Sequence, residues 1–129
     1  MNTAIQSHLD LPVTMLDCCD IPRPDGMAGV SAKDVWTGEK EAVRSRAMVE
    51  FNHEEGTVNM RAVVNQRYKL VVYPDSDFGE LYDLQEDPGE NHNLWNVPGY
   101  EAVQTQMFRE FIQGTFETEQ KFMPRIATA

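Results

Sequence analysis

The chain has 129 residues, 41% hydrophobic and 25% charged, one domain's worth of ordinary globular composition, which excludes wholesale disorder and needs no disulfide or metal support. Its 21 acidic against 11 basic side chains leave a net charge of −10, a field that repels a phosphate backbone and excludes nucleic acid as an expected partner. No apolar run approaches the ~20 residues that span a bilayer, so no membrane partner is expected either.

The first residues, Met1 to Asp10, contain neither a basic region nor an apolar core. They do not read as a signal peptide, so the compartment is left open with the cytoplasm as default. From Asp10 to Cys19 a short helix is expected, with Asp10 as the cap and Pro12 in the first turn. Leu9, Val13 and Leu16 fall on one face and Leu11, Met15, Cys18 and Cys19 on the next, which predicts burial on more than one side. Cys18 and Cys19 are adjacent, an awkward geometry for a mutual disulfide, and are expected as reduced, buried thiols. Neither a CxxC pair nor a Cys/His grouping with zinc spacing occurs.

Residues 20–31 hold two prolines and two glycines and form an irregular connector. Ser31 is the expected cap of a second short helix through Val35 and Trp36, ending near Gly38. Strand-like runs follow at 44–51, 58–64, 67–73 and 80–84. Between the second and third, Asn65-Gln66 suits a two-residue hairpin, with Asn65 able to take a positive φ. Tyr68, Leu70 and Val72 share one face of the third strand and Lys69, Val71 and Tyr73 the other, which predicts an interior strand. Residues 85–90 are a turn around Pro88-Gly89. After Pro98, Tyr100, Val103, Met107, Phe108, Phe111 and Ile112 recur at helical steps, with Gly114 weakening the helix end. The expected fold is α+β: an antiparallel sheet of about four strands, a long C-terminal helix packed on one face, and a short N-terminal helix with its connector in front.

For chemistry, the loop carrying Asn52, His53 and Glu54, with Glu55 beside them, is the one local His/carboxylate grouping. Such a group can orient a substrate or shuttle a proton, although polar turns of this composition are commonly only turns. An independent hydrolase using His53 is therefore one reading, the least favoured. Asp75 and Asp77, or Asp83, Glu86, Asp87 and Glu90, lack the spacing of a calcium loop and read as solvated loop charge. A Gly-rich phosphate loop, a nucleophile elbow and a His-Glu-x-x-His motif are all absent, so no catalytic residue is assigned.

Taken together, Met60-Arg61-Ala62-Val63, Arg67-Tyr68-Lys69-Leu70, Glu80-Leu81-Tyr82-Asp83-Leu84, Asp87-Pro88-Gly89-Glu90 and Asn93-Leu94 resemble, in order and spacing, the C-terminal subdomain of the sulfatases of the alkaline-phosphatase superfamily. Upstream, Ser7 to Leu16 is similar to that family's "S-x-x-D-x-x-P-T-L-L" helix, with Pro12 displaced relative to Thr14, and Ile21-Pro22 through Met27, Gly29 and Ser31 to its connector. Asp20 stands where the family usually has Gly, in a position that asks for left-handed geometry. The resemblance implies a division into residues 1–43, the end of the catalytic-domain region, and residues 44–129, the subdomain itself.

It further implies that the formylglycine nucleophile, made within a Cys/Ser-x-Pro-x-Arg motif absent here, and the calcium beside it belong to another part of a whole sulfatase. No cofactor is expected in this chain, and the chain alone is expected to be inactive. The Asn52 to Gly56 loop is the candidate contributor to a substrate pocket, with Lys69, Tyr73 and Tyr82 as strand-surface and packing residues. The expected partner is a sulfatase catalytic domain. A different reading is a stand-alone interaction module that assembles as a homo-oligomer through the apolar helix near residues 10–19.

Overall fold

The computed structural model describes residues 4–52 and 59–118. It is an α+β fold in which α1 (Asp10–Cys18), α2 (Lys33–Trp36) and their connector precede strands β1 (Arg46–Asn52), β2 (Asn59–Asn65), β3 (Tyr68–Val72) and β4 (Gly79–Asp83), followed by helix α3 (Glu101–Thr118). The sheet is antiparallel in the order β1-β2-β3-β4, so each strand lies beside its sequence neighbour.

The period of two in β2, β3 and β4 sends Val63, Leu70 and Leu81 to one face, directly opposite one another across the ladder. Met107 of α3 closes over them to make the core, with Met48, Val103, Phe108 and Phe111 packed around it. Burying each leucine contributes about 2 kcal/mol. Trp95 enters from the segment before α3: its ring occupies the space where a side chain on Gly79 would lie, and it meets Phe108 edge-on at 5.7 Å. On the second face Ala62 and Val71 are buried while Val49 and Phe51 stay exposed, so both sides of β3 are lined by apolar groups as its alternation predicts.

Several local expectations change. Leu9, not Asp10, is the cap position of α1, because Asp10 is already helical and fully buried. The cap position of α2 is Ala32, although the Ser31 hydroxyl still accepts the N–H of Lys33 at 3.2 Å. The hairpin bend falls on Gln66-Arg67, one residue later than expected, and Asn65 does not adopt a positive φ. Its side-chain oxygen instead accepts the N–H groups of Arg67 (2.9 Å) and Tyr68 (2.7 Å), an Asx-type turn that fixes the bend without glycine. Helix α3 runs through Gly114, which is buried because Met48 fills the place of its missing side chain. Asp20 does take left-handed geometry, with φ 54.

The largest difference is at α1, where only Asp10, Val13 and Thr14 are buried. Leu11, Met15, Cys18 and Cys19 are exposed, against the expected burial on two sides, and both cysteines are free thiols. Helix α2 and the connector cover one side of α1 alone: the Thr14 hydroxyl accepts the Ala32 N–H at 2.9 Å and donates to the Asp10 carbonyl at 2.6 Å.

Candidate functional site

The side chains that sequence reasoning singled out do not converge. Asn52 ends β1, exposed, and its amide donates to Glu50 at 2.9 Å. Glu50 also receives the Arg61 guanidinium at 3.0 Å, and these two donors, Asn52 first, hold its carboxyl below the usual range. His53 and Glu54, like Glu55, lie outside the described residues. A groove of about 230 Å³ is lined by Met48, Val49, Glu50, Arg61, Thr115 and Thr118. Its two charges neutralise each other.

The family-like motifs do converge, on one another. Arg67 places two guanidinium N–H groups on Asp83 at 3.0 and 2.9 Å, tying the start of β3 to the end of β4. Burial alone would raise the Asp83 carboxyl, but Arg67 and the N–H groups of Gln85 and Glu86 bring it below its ordinary value. Lys69 reaches across to Glu90 at 2.5 Å and lies over the Tyr82 ring. Asn93 accepts the N–H groups of Leu81 (3.0 Å) and Trp95 (2.9 Å) and donates to the Gly79 carbonyl (3.1 Å), so it lashes the segment before α3 to β4. Asp87 accepts the His92 N–H at 2.7 Å. Asp83, Asp87 and Glu90 are thus structural acceptors, not the solvated loop charge expected of them.

Beside them, on the face away from α3, the Tyr73 hydroxyl donates to Glu80 at 2.5 Å, and that bond, with burial second, pushes its pKa up to about 12. Tyr82 is likewise pushed up to about 12, by burial first and then by Glu80. Both phenols stay protonated at neutral pH and act as hydrogen-bond donors.

A further polar site was invisible in the sequence. Asp10 at the start of α1 accepts the N–H groups of Ser7 and Val30, each at 2.8 Å, and is bridged by both arms of Arg44, one at 2.8 Å. Burial opposes ionisation, yet Ser7, Arg44 and Val30 together lower the carboxyl below its ordinary value. Arg44 lies 34 residues away, and nothing in a single sequence links such a pair. Gly29 lets the connector lie against the start of α1: with φ +109, it leaves the Leu9 carbonyl the room a side chain would fill.

Among the described residues no three His, Cys, Asp or Glu side chains gather as a metal site. The buried carboxylates are engaged by arginine and backbone N–H groups, so these residues do not fit a calcium ion. No helix of the described residues is long and apolar enough to cross a membrane.

The profile of the family described as "N-sulphoglucosamine sulphohydrolase, C-terminal" matches residues 1–116. The Delta 4,5-hexuronate-2-O-sulfatase of Bacteroides thetaiotaomicron is 36% identical over 101 residues, covering 76% of this chain and 21% of that protein. Among solved structures, a 2-O GAG sulfatase matches with TM-score 0.72 at 31% identity, covering 83% of this chain and 24% of that one. A protein solved with its substrate D-glucosamine-2-N,6-O-disulfate matches with TM-score 0.75 at 22% identity, over 84% of this chain and 23% of its own, a likeness of fold. The chain spans about a fifth of the length of three of the curated relatives it matches and about half of a fourth, an uncharacterized protein of Haemophilus influenzae.

Proposed function

This chain belongs to the N-sulphoglucosamine sulphohydrolase C-terminal family, and from that membership we propose that it serves as the C-terminal module of a sulfuric ester hydrolase, supplying scaffold and no nucleophile. The observation that carries this reading is that the motif residues which identify the family, Arg67, Lys69, Asp83, Asp87, Glu90 and Asn93, all bind one another or the local backbone. Groups so engaged hold a fold together; they are not free to attack a sulfur centre or to carry a proton to a leaving group. The partner is the catalytic part of a sulfatase, which brings the formylglycine and the calcium. That two relatives are a hexuronate-2-O-sulfatase and an N-acetylglucosamine-6-O-sulfatase supports a sulfated saccharide as the substrate class of the whole enzyme.

The test has two arms. The purified chain is assayed on an aryl sulfate, where no turnover is expected; turnover abolished by His53→Ala would instead establish the independent hydrolase. In the second arm the C-terminal fifth of the hexuronate sulfatase is replaced by this whole chain. Sulfate release above that of the truncated host is expected, and its absence in a folded chimera would count against the module.

A further inference from the structure

The last turn of α1 and its cap carry three sulfur side chains, Met15, Cys18 and Cys19. Residues three and four apart share a helix face, with Cβ atoms about 5 to 6 Å apart, so Cys18 at i+3 and Cys19 at i+4 flank Met15 on either side. Cys19 is one residue past the helix, but the helix end fixes its place. Its N–H reaches the Met15 carbonyl at 3.1 Å, Asp20 takes left-handed geometry, and the N–H groups of Asp20 and Ile21 close on the carbonyls of Asp17 (3.2 Å) and Leu16 (2.9 Å), the doubly bonded end of a well-formed helix. The sulfur patch lies on the side of α1 turned away from the buried Val13 and Thr14: Met15 is 61% exposed, and both cysteines are exposed, free thiols.

We propose that Met15, Cys18 and Cys19 form a three-sulfur site for a soft monovalent ion, Cu(I). Two thiolates and a thioether are the donors that select this ion, whereas a structural zinc site closes with four ligands. Among the described residues no third His, Cys, Asp or Glu joins the two cysteines in a metal cluster, so the third donor is the methionine. The neighbouring carboxylates are held elsewhere: Asp17 accepts the Ser31 hydroxyl at 2.5 Å and lies 3.8 Å from the Lys33 amine, which also stands 3.9 Å from Asp20. Adjacent cysteines are poorly placed to pair with each other, which keeps both sulfurs available to an ion. Each copper bound displaces two thiol protons, the thioether contributes a lone pair, and copper keeps its oxidation state. The site rests on α1 and its cap, independently of the module reading.

The reduced full chain is titrated anaerobically with Cu(I) in competition with the chromophoric chelator bicinchoninate. One copper per chain is expected, with three sulfur neighbours in its X-ray absorption spectrum. Cys18→Ser and Cys19→Ser are each expected to weaken binding at least about a hundredfold, and Met15→Leu, which keeps the volume of the side chain, about tenfold. Zinc is expected not to displace the copper. Bound copper ties the two cysteines to Met15 across the helix end, so amide exchange at Cys19 and Ile21 should slow in the parent chain and not in Cys18→Ser. All three substituted side chains are exposed, and circular dichroism of each variant separates a lost ligand from a lost fold.

Copper held no more tightly than by a folded chain carrying both Cys18→Ser and Cys19→Ser overturns the site. An unchanged affinity in Met15→Leu overturns the three-sulfur assignment. Half a copper per chain, with sedimentation as a copper-linked dimer, puts the ion between two copies and overturns a site within one chain. Displacement of the copper by zinc overturns the choice of ion.

Discussion

Residues 46–118 and residues 4–45 are built on different physics. The sheet with α3 has its own core, Val63, Leu70, Leu81 and Met107, assembled from side chains that alternate in sequence and meet across the ladder. The N-terminal segment buries Val13, Ala32 and Val35 beside a polar centre in which Asp10, Thr14 and Arg44 join its pieces by hydrogen bonds and an ion pair. Apolar burial is tolerant of sequence and sufficient by itself, whereas a buried charge holds a fold only while every partner is present. The first region is therefore expected to survive changes that dismantle the second.

The strongest way to break that comparison is through the core. Leu81→Ala removes a fully buried side chain of β4 from the cluster with Val63, Leu70 and Met107, and is expected to cost about 3 to 4 kcal/mol, lowering the cooperative melting transition seen by circular dichroism. If the transition moved by less than about 1 kcal/mol, the sheet would not be the stable unit.

Asp10→Ala comes next, at about 3 kcal/mol, since it removes a fully buried carboxylate and leaves Arg44 and two part-buried backbone N–H groups without their acceptor. Its effect should be local: amide exchange should accelerate in α1 and the connector and not in β2 or β3. Uniform acceleration would mean that the two regions unfold as one. The same group sets a pH dependence. Its folded pKa lies below the ordinary 3.8, so the stabilisation is complete above that value and is lost as the pH falls through the depressed one. Asp10→Asn should flatten the acid limb of α1 protection below pH about 4.

Gly79→Ala tests the seam between the sheet and the segment before α3. The added methyl would meet the Trp95 ring, and a loss of about 2 kcal/mol is expected, with a change in tryptophan fluorescence. Smaller still is the tyrosine signature of the second sheet face: absorbance at 295 nm should place Tyr73 and Tyr82 near pH 12 instead of about 10. Tyr73→Phe should cost about 1 kcal/mol and remove one of the two late titrations. At the bottom of the scale, Met15→Ser in the isolated chain should stay within about 0.5 kcal/mol, because its side chain stands in solvent.

Most of the sheet was legible because its information is local. The alternation in Tyr68 to Tyr73 and the three- and four-residue steps from Tyr100 to Phe111 state which face is apolar, and a strand or helix has few ways to hide that face. The bend at Asn65 was legible as a bend but not in its geometry, since an Asn can turn a chain either by a positive φ or by lending its side-chain oxygen to the next N–H groups. Of the candidate loop, Asn52 sits in an exposed polar cluster with Glu50 and Arg61, and nothing in the sequence distinguishes that from a substrate contact.

By itself the sequence determined the family, the order of the elements and the absence of a Cys/Ser-x-Pro-x-Arg motif, because these are properties of residue identity and spacing along the chain. Only the tertiary structure decided that Asp10 belongs to Arg44, that Gly114 is a socket for Met48, and that Leu11, Met15 and Cys18 are left uncovered. Each of these depends on which segments meet at long range, and a periodic apolar pattern specifies that a face is to be buried without specifying by what.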